Sequence, residues 1–247
     1  MTEPDTGPTM ITTTSYTERR GQIEHYFDRT AADAWARLTS DAPVGRIRAT
    51  VRAGRDEMRA TLLSWLPEDL HGLRLLDAGC GTGALAVAAA RRGALVVAID
   101  LSATLVDLAR ERLPDDLRPG ASEGRIDFRH GDMLDPELGS FDYMVGMDSL
   151  IHYQAPDALR VLATLAPRVR RAMIFTYAPS TPALAAMHAV GQLFPRGNRS
   201  PAIVPVAERA MQRLIAAEPA LHGWASGRTR RIASGFYTSQ ALELVQR

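Results

Sequence analysis

The sequence predicts an α/β fold in which a mostly parallel sheet, covered by helices on both faces, follows an N-terminal helical cap. Three observations carry this expectation. From Leu73 onward, short apolar runs alternate with helical segments across short connections, the order that builds parallel sheets. One of these runs, Leu75-Leu76-Asp77, leads into Gly79, Gly81 and Gly83, and a helical segment begins at once. Before Leu73, the bulky residues recur at helical spacing.

Taken in order, residues 1–20 are polar and rich in Thr and Ser, so they predict a disordered tail. They lack the apolar stretch of a secretory signal. Residues 22–38 read as a helix carrying Tyr26, Phe27, Trp35 and Leu38, with a break at Asp41-Ala42-Pro43. Residues 46–66 read as a long amphipathic helix, because Ile47, Val51, Met58, Leu62 and Trp65 recur at steps of 4, 7, 4 and 3. Pro67 closes it. Arg48, Arg52, Arg55 and Arg59 place a basic stripe along the same helix. Strands are expected at 73–77, 95–100, 126–130, 141–147 and 172–177, with helices at 84–92, 103–112 and 156–166 between them. An apolar helix at 183–194, a polar helix at 206–217 and an antiparallel pair at 223–232 and 235–245 complete the chain. The expected organisation is therefore a tail at 1–20, a helical cap at 21–67 and an α/β domain at 68–247.

Composition narrows the function classes. The 247 residues are 46% hydrophobic and 23% charged, as in ordinary soluble domains. A formal net charge of +1 argues against wholesale nucleic-acid binding. The basic residues are all arginine, which excludes Schiff-base catalysis by lysine. A single cysteine, Cys80, excludes an internal disulfide framework and a cysteine-rich metal site, so no resident metal is expected. Residues 172–195 lack Asp, Glu and Arg, but Pro179 and Pro182 interrupt them, and no spanning helix is expected there. A soluble, cytoplasmic protein is the default expectation.

The glycine turn carries the chemistry. Without Cβ atoms, backbone N–H groups and a helix N-terminus can approach a ligand closely. Asp100 stands 21 positions after Gly79, at the end of the next expected strand, followed by Leu101. A carboxylate there can accept both hydroxyls of a ribose. Gly79-x-Gly81-x-x-Ala84 also fits a dinucleotide fingerprint, which keeps NAD(P) in view. Asp77 separates the two, because a carboxylate beside the turn repels a pyrophosphate. It suits S-adenosylmethionine, whose amino-acid end carries an ammonium and a sulfonium and no phosphate. Two further signals follow later strands, where ligands bind in open α/β sheets. Asp132 and Met133 are placed to meet an adenine amino group and ring, and Met147-Asp148-Ser149-Leu150-Ile151-His152-Tyr153 follows the fourth strand.

This ensemble resembles the class I S-adenosylmethionine-dependent methyltransferases. That resemblance implies a Rossmann-like seven-stranded sheet with its last strand antiparallel. A closer resemblance, to the magnesium protoporphyrin IX O-methyltransferase family of (bacterio)chlorophyll biosynthesis, rests on stretches outside the cofactor motif. These are Tyr26-Phe27-Asp28-Arg29-Thr30, Trp35-Ala36-Arg37-Leu38, Val51-Arg52-Ala53-Gly54-Arg55, Ser64-Trp65-Leu66-Pro67, Asp148 to Tyr153, Phe194-Pro195 and Phe236-Tyr237-Thr238-Ser239. Ala32, Ala34 and Gln240-Ala241 depart from the family pattern.

The resemblance implies methyl transfer to one propionate of Mg-protoporphyrin IX, with Mg²⁺ present only as part of the substrate. It nominates His152 and Tyr26 at the reacting centre. His152 would hydrogen-bond the propionate or ligate the substrate's Mg²⁺, with an ordinary packing role as the alternative. Arg48, Arg52 and Arg55 are candidates to hold the other propionate by bidentate contact, against the plainer reading of a solvated helix face. The implied partners are the porphyrin and a porphyrin-binding subunit of magnesium chelatase, with peripheral contact to a photosynthetic membrane.

Overall fold

The computed structural model describes residues 14–30, 38, 39, 43, 45–118, 123–180 and 203–247. Helix α1 (Thr14–His25) runs into a π-helical turn at Tyr26–Thr30, and α2 (Arg46–Ser64) completes the described cap. The sheet region then alternates: β1 (Arg74–Ala78), α3 (Ala84–Ala90), β2 (Leu95–Asp100), α4 (Ala103–Glu111), β3 (Arg125–His130), β4 (Phe141–Gly146), α5 (Ala155–Leu165), β5 (Val169–Tyr177), α6 (Glu208–Ala217), β6 (Trp224–Ser234) and β7 (Tyr237–Gln246).

Seven strands form one sheet in the order β3-β2-β1-β4-β5-β7-β6. β1 to β5 pair in parallel, while β7 is antiparallel to both β5 and β6. The expected mixed sheet is thus present, with its antiparallel strand inserted between β5 and the edge. Because successive strand residues point to opposite faces, the strands feed two cores. Leu75, Val96, Ala98, Val145 and Ile174 pack with Met58 and Leu62 of α2 and Ala86 of α3. Leu76, Val97, Ile99, Met144 and Phe175 pack with Leu162 of α5 and Ile215 of α6. The strand order reverses between β1 and β4, which opens the ligand crevice at their carboxyl ends.

From β1 onward, the described strands and helices agree with expectation to within a few residues. β5 starts three residues before its apolar run, since Arg170 and Arg171 extend the strand while facing solvent.

Residues 14–20 correct the expected disordered tail, because they form the first turns of α1. Among its described side chains the helix buries Tyr16 and Ile23 alone, so its apolar period is almost silent, and its attachment is largely polar. The rest of the expected tail, residues 31–37 with Ala32, Ala34 and Trp35, and the apolar helix at 183–194 with Phe194 and Pro195 lie outside the described residues.

Candidate active site

A cavity of about 260 Å³ opens where the carboxyl ends of β1 to β4 meet α1 and α2. Its floor is the glycine turn. Gly79 and Gly81 both adopt left-handed backbone, with φ of +85° and +52°. A Cβ on Gly79 would collide with the side chain of Ser149, so the turn needs glycine for space as well as for conformation. The turn is fastened to β2: Gly79 N–H and Cys80 N–H both donate to the Ile99 carbonyl, at 2.9 and 3.0 Å.

Two carboxylates flank this floor. Asp100 accepts from Gly81 N–H at 2.8 Å on one oxygen and from Ser102 N–H at 2.9 Å on the other. Burial nevertheless holds its carboxyl above the usual carboxylate range. Asp77 is 1% exposed, and its Oδ2 has no hydrogen-bond partner. Burial, reinforced by the charge of Asp100, pushes its pKa up to about 7. A buried carboxylate oxygen without a donor is costly, and a cationic ligand in the cavity would satisfy it.

The residues present therefore fit S-adenosylmethionine. Asp77 would take the ammonium, Gly79 and Gly81 would allow close backbone approach, and Asp100 with Leu101 would face the ribose. Met133 and Met147 add apolar surface to the same cavity. A dinucleotide fits less well, because its pyrophosphate would lie against Asp77.

The acceptor side is built by the cap and the turn after β4. His152, 6% exposed, ends a 3₁₀ turn at Leu150–His152 and lines the cavity. The Phe27 ring stands 5.9 Å from the imidazole at 61°. Arg52, Arg55 and Arg59 of α2 line the same cavity. Arg52 Nε donates to the Leu38 carbonyl at 3.0 Å, and Arg59 donates to Asp56 at 2.7 Å. The stripe is thus divided: Arg52, Arg55 and Arg59 line the cavity, while Arg48 is exposed and outside the lining.

Three expected site residues stand apart from the lining: Arg48, Tyr26 and Asp132. Tyr26 packs edge-on against Phe27, with centroids 5.2 Å apart, so it supports a wall residue. Asp132 is engaged by α1. It accepts from Tyr16 Oη at 2.8 Å, Arg20 Nη1 at 2.9 Å and Leu134 N–H at 2.9 Å. Those donors occupy the oxygens that were expected to meet an adenine. Tyr16 also stacks on Tyr153 at 5.2 Å, and burial pushes its phenol pKa well up.

Other contacts near the site escaped the sequence reading. Asp28 accepts from Ser102 Oγ at 2.6 Å and Thr104 N–H at 3.2 Å. Burial works to raise its pKa, but these donors hold it below the ordinary value. The signal was present: Ser102 is an N-cap preceding α4, a position whose hydroxyl tends to be fixed. Asp148 was legible as a polar residue after β4, yet its partners were not. It accepts from Arg55 Nη1 at 2.5 Å and Tyr237 Oη at 3.1 Å.

Comparison with known proteins follows the same lines. Residues 146–246 match the family model described as magnesium-protoporphyrin IX methyltransferase C-terminus, and residues 75–171 match a methyltransferase domain. A magnesium-protoporphyrin O-methyltransferase of Rhodobacter capsulatus is 52% identical over 229 residues, covering 92% of this chain and 97% of that protein. Its Synechocystis counterpart is 30% identical over 227 residues, covering 91% and 95%. The crystal structure of magnesium protoporphyrin IX methyltransferase from Synechocystis PCC 6803 with bound SAH superposes with a TM-score of 0.80 at 28% identity, covering 92% of this chain and 100% of that one. The chain belongs to the magnesium-protoporphyrin O-methyltransferase family.

Proposed function

We propose that this chain transfers a methyl group from S-adenosylmethionine to a propionate carboxylate of Mg-protoporphyrin IX, forming the monomethyl ester. The observation that carries the cofactor is the buried, unpartnered Oδ2 of Asp77 beside the glycine turn. The acceptor follows from the 52% identity to the Rhodobacter capsulatus enzyme over nearly the whole chain.

When bound, S-adenosylmethionine supplies a methyl group already activated by its sulfonium. The acceptor brings its own nucleophile. A propionic acid with a pKa of roughly 4–5, by analogy with Glu, is ionised at pH 7. No strong base is therefore needed. The chain's task is orientation, which supplies on the order of 7–11 kcal/mol in favourable cases, together with partial exclusion of water. His152 is placed to hydrogen-bond the acceptor carboxylate at the cavity wall, and the cavity-lining arginines of α2 to hold carboxylate groups. Phe27, Met133 and Met147 offer apolar surface to the ligands.

Handover of the porphyrin by a magnesium-chelatase subunit, and contact with a membrane surface, belong to this reading. Among the described residues, no helix is long and apolar enough to cross a membrane.

The test is methylation by the purified chain with S-adenosylmethionine and either Mg-protoporphyrin IX or the metal-free porphyrin, read by mass spectrometry. Gain of one methyl on the Mg form is the expected result, and the metal-free arm reports whether Mg²⁺ is recognised. Cofactor binding with neither porphyrin methylated would overturn the acceptor. NADH binding without S-adenosylhomocysteine binding would overturn the cofactor as well.

A further inference from the structure

Asp148 is the only non-glycine residue with positive φ among the described residues, at +54°. Such backbone persists in a non-glycine residue where its surroundings over-determine it, and here they do. Its N–H donates to Thr176 Oγ1 at 2.7 Å. Its carboxylate accepts from Arg55 at 2.5 Å, from Tyr237 Oη at 3.1 Å, and from Ser239 and Thr176 hydroxyls at 3.3 Å each. These donors come from α2, β7 and β5, so three separate elements converge on one acid at the cavity wall. Side-chain exposure is 7% for Asp148 and 19% for Arg55.

A buried carboxylate on this wall would repel an anionic acceptor. Arg55 covers that charge and presents a guanidinium on the same cavity. We infer that Asp148 is a positioning residue: it holds the Arg55 guanidinium on the cavity wall, where Arg55 meets a carboxylate of the acceptor. This rests on the proposed function and adds a specificity device to it, since an uncharged acceptor would gain nothing from the pair. The strained turn has a second effect, because the same residue leads directly into Ser149 and His152.

The experiment compares D148N, R55Q and the double variant R55Q/D148N with the wild-type chain. Acceptor KM, kcat, cofactor Kd and Tm are measured for each. R55Q should raise the acceptor KM by about tenfold or more, the scale of a lost charge-assisted contact, with cofactor Kd within about twofold. D148N should raise KM less, because Arg55 keeps its charge and loses its orientation. The double variant should recover the Tm lost in R55Q, since no unpaired carboxylate remains, while its acceptor KM stays high. If the double variant also restores KM, or if the single variants shift Tm alone, the pair is structural and the inference fails. Should D148N not fold, Y237F and S239A each remove one donor to Asp148, and a rise in acceptor KM of about two- to threefold is expected, a fraction of a charge-assisted contact. Unchanged KM in both would overturn the inference. Wild-type chain that methylates no Mg-protoporphyrin would overturn the proposed function, and this inference with it.

Discussion

The two described helices of the cap hold to the sheet domain by opposite means. α2 is docked like a core element: it buries Met58, Leu62 and Leu63 against strand residues and brings Gly54 so close to Tyr237 that a Cβ would stand 2.5 Å from the ring. Ser234 Oγ donates to the Thr50 carbonyl at 2.9 Å, and Arg55 adds its part-buried pair with Asp148. α1 buries two side chains, Tyr16 and Ile23, and its polar hold centres on Asp132 and on Ser15 bonding Asp157 at 3.1 Å. Apolar burial scales with area and is non-directional, whereas a few hydrogen bonds exchange readily with water. The fold therefore treats α2 as part of the domain and α1 as a cover attached to it.

That contrast breaks most visibly at Leu62. Leu62→Ala should cost about 2–5 kcal/mol, read as a lowered midpoint in urea unfolding of the whole domain. Between the helices lies Asp77, which belongs to neither attachment. Asp77→Asn should weaken S-adenosylmethionine binding by roughly 1.5–3 kcal/mol, the range of a charge-assisted contact, in calorimetric titration. In the wild-type chain, affinity should fall as pH drops below about 7, because the protonated carboxyl must lose its proton to meet an ammonium. The sign for folding is the reverse. A carboxyl raised above its unfolded value stabilises the fold at low pH and loses that contribution as pH rises toward about 7. The same Asp77→Asn variant should therefore have a higher Tm than wild type at pH 8 and a nearly unchanged one at pH 4.

Gly54→Ala sharpens the description of α2, because overpacking against Tyr237 should cost about 1–3 kcal/mol. Unchanged stability would mean that α2 can shift on the sheet. For α1 the effects are smaller. Tyr16→Phe removes one donor to Asp132 and should cost about 0.5–1.5 kcal/mol, seen as faster amide exchange in α1 with α2 unaffected. Arg20→Gln should cost about 0.2–1 kcal/mol, an effect that fades at high salt. Loss of protection in both helices together would show that the cap opens as one unit.

Legibility followed the same division. The strands and the glycine turn were readable because each is a local pattern: apolar runs, alternate glycines, and acidic positions after three successive strands. α2 was readable from the spacing of Met58, Leu62 and Trp65. α1 was not, since Tyr16 and Ile23 alone do not make a period and its polar residues suggested a tail. Asp132 reads as a ligand contact because nothing near it in the sequence points to Tyr16 and Arg20, more than a hundred residues away. The same holds for Asp148, whose partners Arg55 and Tyr237 lie 93 and 89 positions off. Composition along a helix reports which face is apolar. It does not report which acid a given arginine will find, and the site is made of such pairings.

The insertion of β7 between β5 and β6 also sets an order of events during synthesis. α2 leaves the ribosome early, but Tyr237, against which Gly54 packs, follows about 180 residues later. At roughly 5–20 residues per second, α2 waits on the order of ten to forty seconds with its apolar face uncovered on that side. The flank of α2 that carries Gly54 thus stays uncovered until β7 pairs with β5, which makes that interval the point at which a holdase would matter most.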